Sequence, residues 1–228
     1  MERTAVITGA SQGLGLALAR RLAADGWELA IDARRSDRLA TAADELRDLT
    51  QVAAIAGDIT DPEHRVQLAT AARLLGPVRL VVNNASTLGE SPLPPLDTID
   101  PDVLRRTFDV NVVAPIALVQ LLAAELEPGA TIVNVTSDAA AEAYPTWGGY
   151  GASKAALEHA GRVLAVEHPE WRVLTVDPGD MRTEMHQAAF PDDDIGDRPA
   201  PEASVPGMMK LIDGDQPSGR YVAKQVAP

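Results

Sequence analysis

The chain has 228 residues, 46% hydrophobic and 23% charged, which suits one ordinary domain with its own core. With 33 acidic against 20 basic side chains its formal charge is −13, which argues against nucleic acid and anionic membrane surfaces as partners. Cysteine is absent, so disulfides, thiolate catalysis and Cys-type metal sites are excluded, and no apolar run approaches the ~20 residues of a membrane span.

Met1-Glu2-Arg3 leads directly into a β-rich run at 4–8, leaving no room for a signal peptide, so a cytoplasmic location is expected. That run ends in Thr8-Gly9-Ala10-Ser11-Gln12-Gly13-Leu14-Gly15 and passes at once into a helical stretch at 14–24. Glycines allow a tight turn and close approach to phosphate, and a helix N-terminus supplies free N–H groups. The spacing of glycines 9, 13 and 15 is not G-x-G-x-x-G, and the Gly-Lys-Ser/Thr ending of a P-loop is missing. Alone, this turn also reads as a plain strand–helix connector. Strands are then expected at 28–33, 52–56, 79–83, 131–136, 172–177 and 220–223, with helices at 36–49, 62–75, 101–126 and 150–166. Pro115 should kink or weaken the long fourth helix. The cadence predicts a single-domain α/β fold over 1–228, a doubly wound parallel sheet of about seven strands with helices on both faces. The segment 185–206, with Pro191, Asp192-Asp193-Asp194, Gly196, Pro199 and Pro201, breaks the pattern and reads as a mobile insertion or substrate lid.

Within this frame, Tyr150 and Lys154 stand four apart on one helix face. A phenol titrates near pH ~10 and is a poor proton carrier at neutrality, but a neighbouring ammonium can lower it by about 1–3 units. Taken alone, the pair reads more readily as a solvated helix face. Ser137 changes the balance, because it closes the strand at 131–136, and ligands of open α/β sheets bind outside the carboxyl ends of strands. The histidines at 64, 159, 168 and 186 have no metal-ligand spacing, and each reads as a surface or packing residue, with no metal site expected.

Thr8-Gly9-x-x-x-Gly13-x-Gly15, Asn83-Asn84-Ala85, Asn111, Ser137, Tyr150-x-x-x-Lys154 and Pro178-Gly179 follow in order between residues 4 and 183. Together they resemble the motifs of the classical short-chain dehydrogenase/reductase (SDR) family. The resemblance implies a Rossmann-type fold and hydride transfer between a nicotinamide cofactor and a ketone or aldehyde, or the corresponding alcohol. It implies that Tyr150 is the proton donor, that Lys154 tunes it and binds the nicotinamide ribose, and that Ser137 polarises the substrate oxygen. Asn111 would hold a water linking Lys154 to solvent; its other reading is a buried amide satisfying helix carbonyls freed by Pro115. Gly9, Ser11, Gly13, Leu14 and Gly15 would cradle the cofactor phosphates, Asn84 would meet the cofactor at the fourth strand, and Met181 and Thr183 would contact the carboxamide. Asp58 and Ile59 would hold the adenine, although Asp58 also reads as a cap for the helix near residue 61. Ser86 stands where glycine is commoner in the family and should alter its loop slightly without abolishing binding.

Cofactor choice turns on charge after the second strand, which ends Ile31-Asp32-Ala33-Arg34-Arg35. Counting from Gly15, the position of an NAD-type acid falls on Ala33, with Arg34 beside it to pair with a 2′-phosphate. Asp32 should point to the opposite face by strand alternation, whereas a one-residue shift in register would make it the selective acid. NADP(H) is the expected cofactor, NAD is not excluded, and Gln12 is neutral where a basic residue often assists in NADP-preferring relatives. The substrate should contact 88–95, 138–147 and 185–191, with Tyr144, Trp147, Met185 and Phe190 as apolar walls or as packing residues. Asp138, Glu142, Asp180 and Glu184 disfavour a highly anionic substrate unless Arg182 compensates. Ala152, Ser153, Ala155 and Ala156 would allow close helix packing, and the family analogy implies a homodimer or homotetramer. An isomerase or dehydratase reusing the same residues, and a non-catalytic NADP-sensing protein, stay open as alternatives.

Overall fold

The structure, a computed structural model, describes residues 3–226; Met1 and Glu2, with which the expected start of the chain begins, lie outside the described residues. Seven strands alternate with helices: β1 (Thr4–Ile7), α1 (Gly13–Ala24), β2 (Glu28–Ala33), α2 (Ser36–Arg47), β3 (Val52–Ala56), α3 (Pro62–Leu75), β4 (Val78–Asn83), α4 (Pro101–Phe108), α5 (Ala114–Leu122), β5 (Thr131–Val135), α6 (Gly148–Glu167), β6 (Arg172–Asp177), α7 (Glu184–Ala189), α8 (Val205–Asp213), β7 (Gly219–Val222) and α9 (Ala223–Val226). All pair in parallel in the order β3-β2-β1-β4-β5-β6-β7. Each expected strand is present to within one residue at either end.

The central strands are apolar at almost every position because both faces are covered. Successive side chains therefore feed two different layers. Ala5 and Ile7 of β1 join Leu18 and Leu22 of α1 and Met208 and Leu211 of α8, while Val6 joins Leu68 of α3 and Leu118 and Leu122 of α5. Strand order reverses between β1 and β4, so a crevice opens at their carboxyl ends. Two Asp-Pro pairs start helices facing it: Asp61 accepts from the Glu63 N–H at 2.9 Å and Asp100 from the Asp102 N–H at 2.7 Å. Proline at the first helical position costs nothing there, since its missing N–H would have had no partner.

The long helix expected at 101–126 is interrupted. Between α4 and α5 the backbone widens into a π-turn at Asp109–Val113, where the Ala114 N–H bonds the Asp109 carbonyl. Pro115 has no N–H to offer the Asn111 carbonyl, and its ring crowds that carbonyl, so one extra residue is taken into the turn. The segment 185–206 also carries more order than its composition suggested. α7 enters it, Pro201–Ser204 forms a 3₁₀ turn, and Ile195, Ser204 and Val205 are buried. Among the described residues no helix is long and apolar enough to cross a membrane.

Candidate active site

A cleft of about 630 Å³ runs along the carboxyl ends of the strands. Of the residues singled out from the sequence, Gly9, Ser11, Gly13, Leu14, Arg34, Asp58, Ile59, Asn84, Ser137, Tyr150, Lys154, Met181 and Thr183 line it. Gly15 and Asn111 stand behind its walls.

At one end the turn after β1 is a backbone cradle. Gly9 and Gly13 have φ of +68° and +58°, which side-chain-bearing residues rarely adopt. A Cβ on Gly15 would lie 2.4 Å from the Gly9 oxygen and 2.6 Å from Asn84 Nδ2, so this glycine lets α1 meet the turn. Asn84 Nδ2 donates to the carbonyls of Thr8 and Gly9 at 2.9 and 3.1 Å, which makes it a strut of the cradle. Thr183 caps α7 and faces Gly13 across the cleft.

Asp32 settles the question of register by its neighbours. Its carboxylate is almost fully buried, takes the Gly9 N–H at 2.8 Å and meets His64 Nε2 at 2.9 Å. Both oxygens are committed to bracing the turn and are not free for a ribose. His64 is thus a core residue with a carboxylate partner. Arg34 lies exposed at the cleft and makes no hydrogen bond or ion pair among the described residues. Arg35 pairs with Asp37 at 2.8 Å, and Arg38 extends from α2 into the same corner. Open phosphate-facing backbone, an engaged Asp32 and a group of arginines together fit a 2′-phosphorylated dinucleotide. Asp58 caps nothing in α3, since Asp61 does that. It folds back on Thr60 at 2.9 Å and pairs with Arg106 of α4, which sequence inspection passed over.

At the other end stand the groups able to move a proton. A Cβ on Gly151 would come within 2.5 Å of the Ala139 oxygen, and this close approach seats the start of α6 against the 3₁₀ turn Asp138–Ala140 that follows Ser137. Tyr150 is buried, and its phenol is pushed up, first by burial and then by the carboxylates of Asp138 and Asp177; the Ser86 and Ser137 hydroxyls oppose this. The expected lowering by Lys154 is therefore not met. The ammonium lies 5.6 Å from the centre of the Tyr150 ring, and Nζ donates to the Val135 carbonyl at 2.8 Å. Burial brings Lys154 itself down to about 8. Ser137 Oγ donates to Asp138 Oδ1 at 2.8 Å, so it must turn away from that carboxylate to polarise a substrate oxygen. Beneath it, Arg220 of β7 joins Glu158 at 3.0 Å and the Ser137 carbonyl at 3.3 Å.

The Asn111 side chain is engaged within the protein. Its Oδ1 accepts from the Thr87 N–H at 2.9 Å and Ser86 Oγ at 3.1 Å, and its Nδ2 donates to the Thr87 carbonyl and Ser153 Oγ, each at 2.9 Å. The side chain ties the loop after β4 to α6 and makes no bond to the helix carbonyls near Pro115 among the described residues. Ser86 is more consequential than a loop adjustment, being a second hydroxyl, with Ser137, at the phenol.

Leu88, Ala139, Trp147, Met185, Ala189 and Phe190 wall the remaining space. Trp147 packs edge-on to Tyr150 and against Phe190, at ring separations of 5.7 and 5.8 Å. Tyr144 turns its hydroxyl to Asp138 and Glu142 at 3.1 and 2.9 Å, so its polar end faces carboxylates.

A parallel sheet reversing at β1/β4, with a glycine cradle and a Ser–Tyr–Lys group in one cleft, defines a fold of Rossmann type. The short chain dehydrogenase family model matches residues 3–194, and the chain belongs to that family. It is 36% identical over 199 residues to sepiapterin reductase of Rattus norvegicus, covering 81% of this chain and 76% of that protein. A short chain dehydrogenase from Pseudomonas syringae superposes with a TM-score of 0.89 at 28% identity, over 96% of this chain and 93% of the other. Another, from Shigella flexneri and complexed with NADP, gives 0.88 at 28% identity over 97% of each chain.

Proposed function

We propose that the chain is an NADPH-dependent oxidoreductase that interconverts a ketone or aldehyde and the corresponding alcohol, with Tyr150 as general acid and base. The observation that carries this is the sharing of one cleft by the glycine cradle and the Ser137, Tyr150 and Lys154 side chains. The NADP in the Shigella flexneri structure and the sepiapterin reductase activity named for the rat relative support it.

When bound, the cofactor supplies or accepts the hydride. Gly9, Ser11, Gly13 and Leu14 hold its phosphates, Arg34 meets the 2′-phosphate, Asp58 and Ile59 flank the adenine, and Met181 and Thr183 contact the carboxamide. Tyr150 keeps its proton at neutral pH because burial and two carboxylates oppose ionisation, which suits donation to a carbonyl oxygen that is gaining charge. Ser137 swings from Asp138 to the same oxygen. Lys154, largely charged at neutral pH, offers N–H groups to the ribose and stabilises the phenolate left by proton donation. The apolar walls and the carboxylates of Asp138 and Glu142 select a neutral carbonyl compound. The segment 185–206 closes over it as a lid, and the protein works as a homodimer or homotetramer in the cytoplasm.

The test is NADPH consumption against a panel of ketones and vicinal diketones. Turnover by the wild type, lost in Tyr150→Phe while NADPH still binds, is the expected result. Turnover that survives Tyr150→Phe overturns the assignment of the acid. Tight NADPH binding with no turnover across the panel turns the reading toward a cofactor sensor.

A further inference from the structure

Three side chains from distant parts of the chain meet where the cofactor cleft narrows. Arg38 Nη1 of α2 lies 2.7 Å from Glu184 Oε1 at the start of α7, and the same nitrogen donates to Gln12 Oε1 of the glycine turn. Gln12 Nε2 closes the triangle by donating to Glu184 Oε2 at 3.2 Å. Gln12 is the neutral residue at a position where a positive charge would assist a phosphorylated cofactor. Arg38 brings a guanidinium to that spot from 26 residues away, within the same cleft corner as Arg34. In this arrangement the guanidinium is matched by a carboxylate.

We infer that Arg38 is a second guanidinium for the cofactor's 2′-phosphate, and that Glu184 is a placeholder anion which the phosphate displaces. The chemistry favours the exchange. A phosphate dianion carries more charge than a carboxylate and offers three acceptor oxygens to a planar fork. Glu184 is mostly exposed, so its ion pair is screened and weak, and it regains solvation when released. Arg35 is less suited, because Asp37 on its own helix already holds it in a pair with two hydrogen bonds. NADH, lacking the phosphate, has nothing to exchange for Glu184 and leaves the triangle closed. The cofactor preference of this chain thus rests on Arg34 and Arg38 together, moderated by an acid from the substrate side of the cleft.

Both assignments rest on NADPH as the cofactor, and binding measurements separate them. Titration calorimetry with NADPH and with NADH on wild-type protein, Arg38→Met, Arg38→Lys, Glu184→Gln and the Arg38→Met/Glu184→Gln pair reads affinity without turnover. Arg38→Met should weaken NADPH about tenfold and leave NADH within about twofold, with Arg38→Lys between the two. Glu184→Gln should tighten NADPH about threefold in the wild-type background and not in the Arg38→Met background. Equal weakening of both cofactors by Arg38→Met, or no weakening, overturns the role of Arg38. A gain from Glu184→Gln that persists without Arg38 overturns the placeholder. A wild type that prefers NADH, or an Arg34→Ala variant that loses no selectivity, overturns the NADPH reading itself through measurements that do not involve Arg38.

Discussion

Replacing Lys154 with methionine should make the protein more stable while removing its activity. The ammonium is almost fully buried, and its only direct partner among the described residues is the Val135 carbonyl at 2.8 Å. Burial lowers its pKa from 10.5 to about 8, and that difference corresponds to about 3 kcal/mol of desolvation borne by the charged form. Methionine is similar in length and unbranched, and it removes the penalty at the loss of one hydrogen bond worth about 1 kcal/mol. The expected gain at pH 7 is therefore about 2 kcal/mol. The sign follows from proton counting. The unfolded chain holds the lysine proton up to pH 10.5 and the folded one releases it near 8, so the penalty is fully present below pH 8. Wild-type stability rises with pH between those values relative to the variant, and the gap should close near pH 10. Urea unfolding of both proteins at pH 7 and pH 10 measures this, since other titrating groups cancel in the difference. A variant less stable than wild type at pH 7, or a gap that does not change with pH, would refute the reasoning.

Gly15→Ala should weaken NADPH binding at least tenfold and cost about 1–3 kcal/mol, because the new methyl would press on the Gly9 backbone at 2.4 Å; calorimetry and thermal unfolding check both effects. Ser86→Gly should change stability by under about 1 kcal/mol, since Asn111 Oδ1 keeps its bond from the Thr87 N–H. The same change removes a hydroxyl that favours the ionised Tyr150, so the acid limb of alcohol oxidation should move to higher pH while ketone reduction falls less; equal losses in both directions would count against this. Val163→Asp should yield a monomer by light scattering from an oligomeric wild type. Ile116 and Val163 are exposed and line an apolar groove of about 440 Å³ between α5 and α6, and a wild type already monomeric would remove that role.

The central strands were readable because strands covered on both faces are nearly continuous apolar runs, each bounded by turns. Ser137, Tyr150 and Lys154 were readable because one strand end and one helix turn suffice to bring them together. What was hidden depends on pairs far apart in the chain. Nothing around Asp32 in sequence announces His64, and nothing around Arg38 announces Glu184. The direction of the Tyr150 shift is set by burial and by Asp138 and Asp177, neither on its own helix, so an i,i+4 argument alone gave the wrong sign. The π-turn is a milder case. Pro115 signalled a disturbed helix, but whether it kinks or takes in a residue depends on where Asn111 must sit to reach Thr87 and Ser153. α7 was masked by the Pro- and Asp-rich stretch that follows it, whose composition dominates any short window.

Asp32 limits how this protein can be redirected. On the proposed reading, a single substitution at Arg34 would weaken attraction for a 2′-phosphate, with Arg38 still in place, without adding anything for a ribose hydroxyl. The nearest carboxylate cannot be recruited, because turning it outward would strip the Gly9 N–H and leave His64 without its partner in the core. On the proposed NADPH reading, a switch to the unphosphorylated cofactor would require a new acid at Ala33, installed in front of a brace that must stay where it is. The residue that a one-residue shift in register would make an NAD-selective acid is instead what keeps the turn in shape.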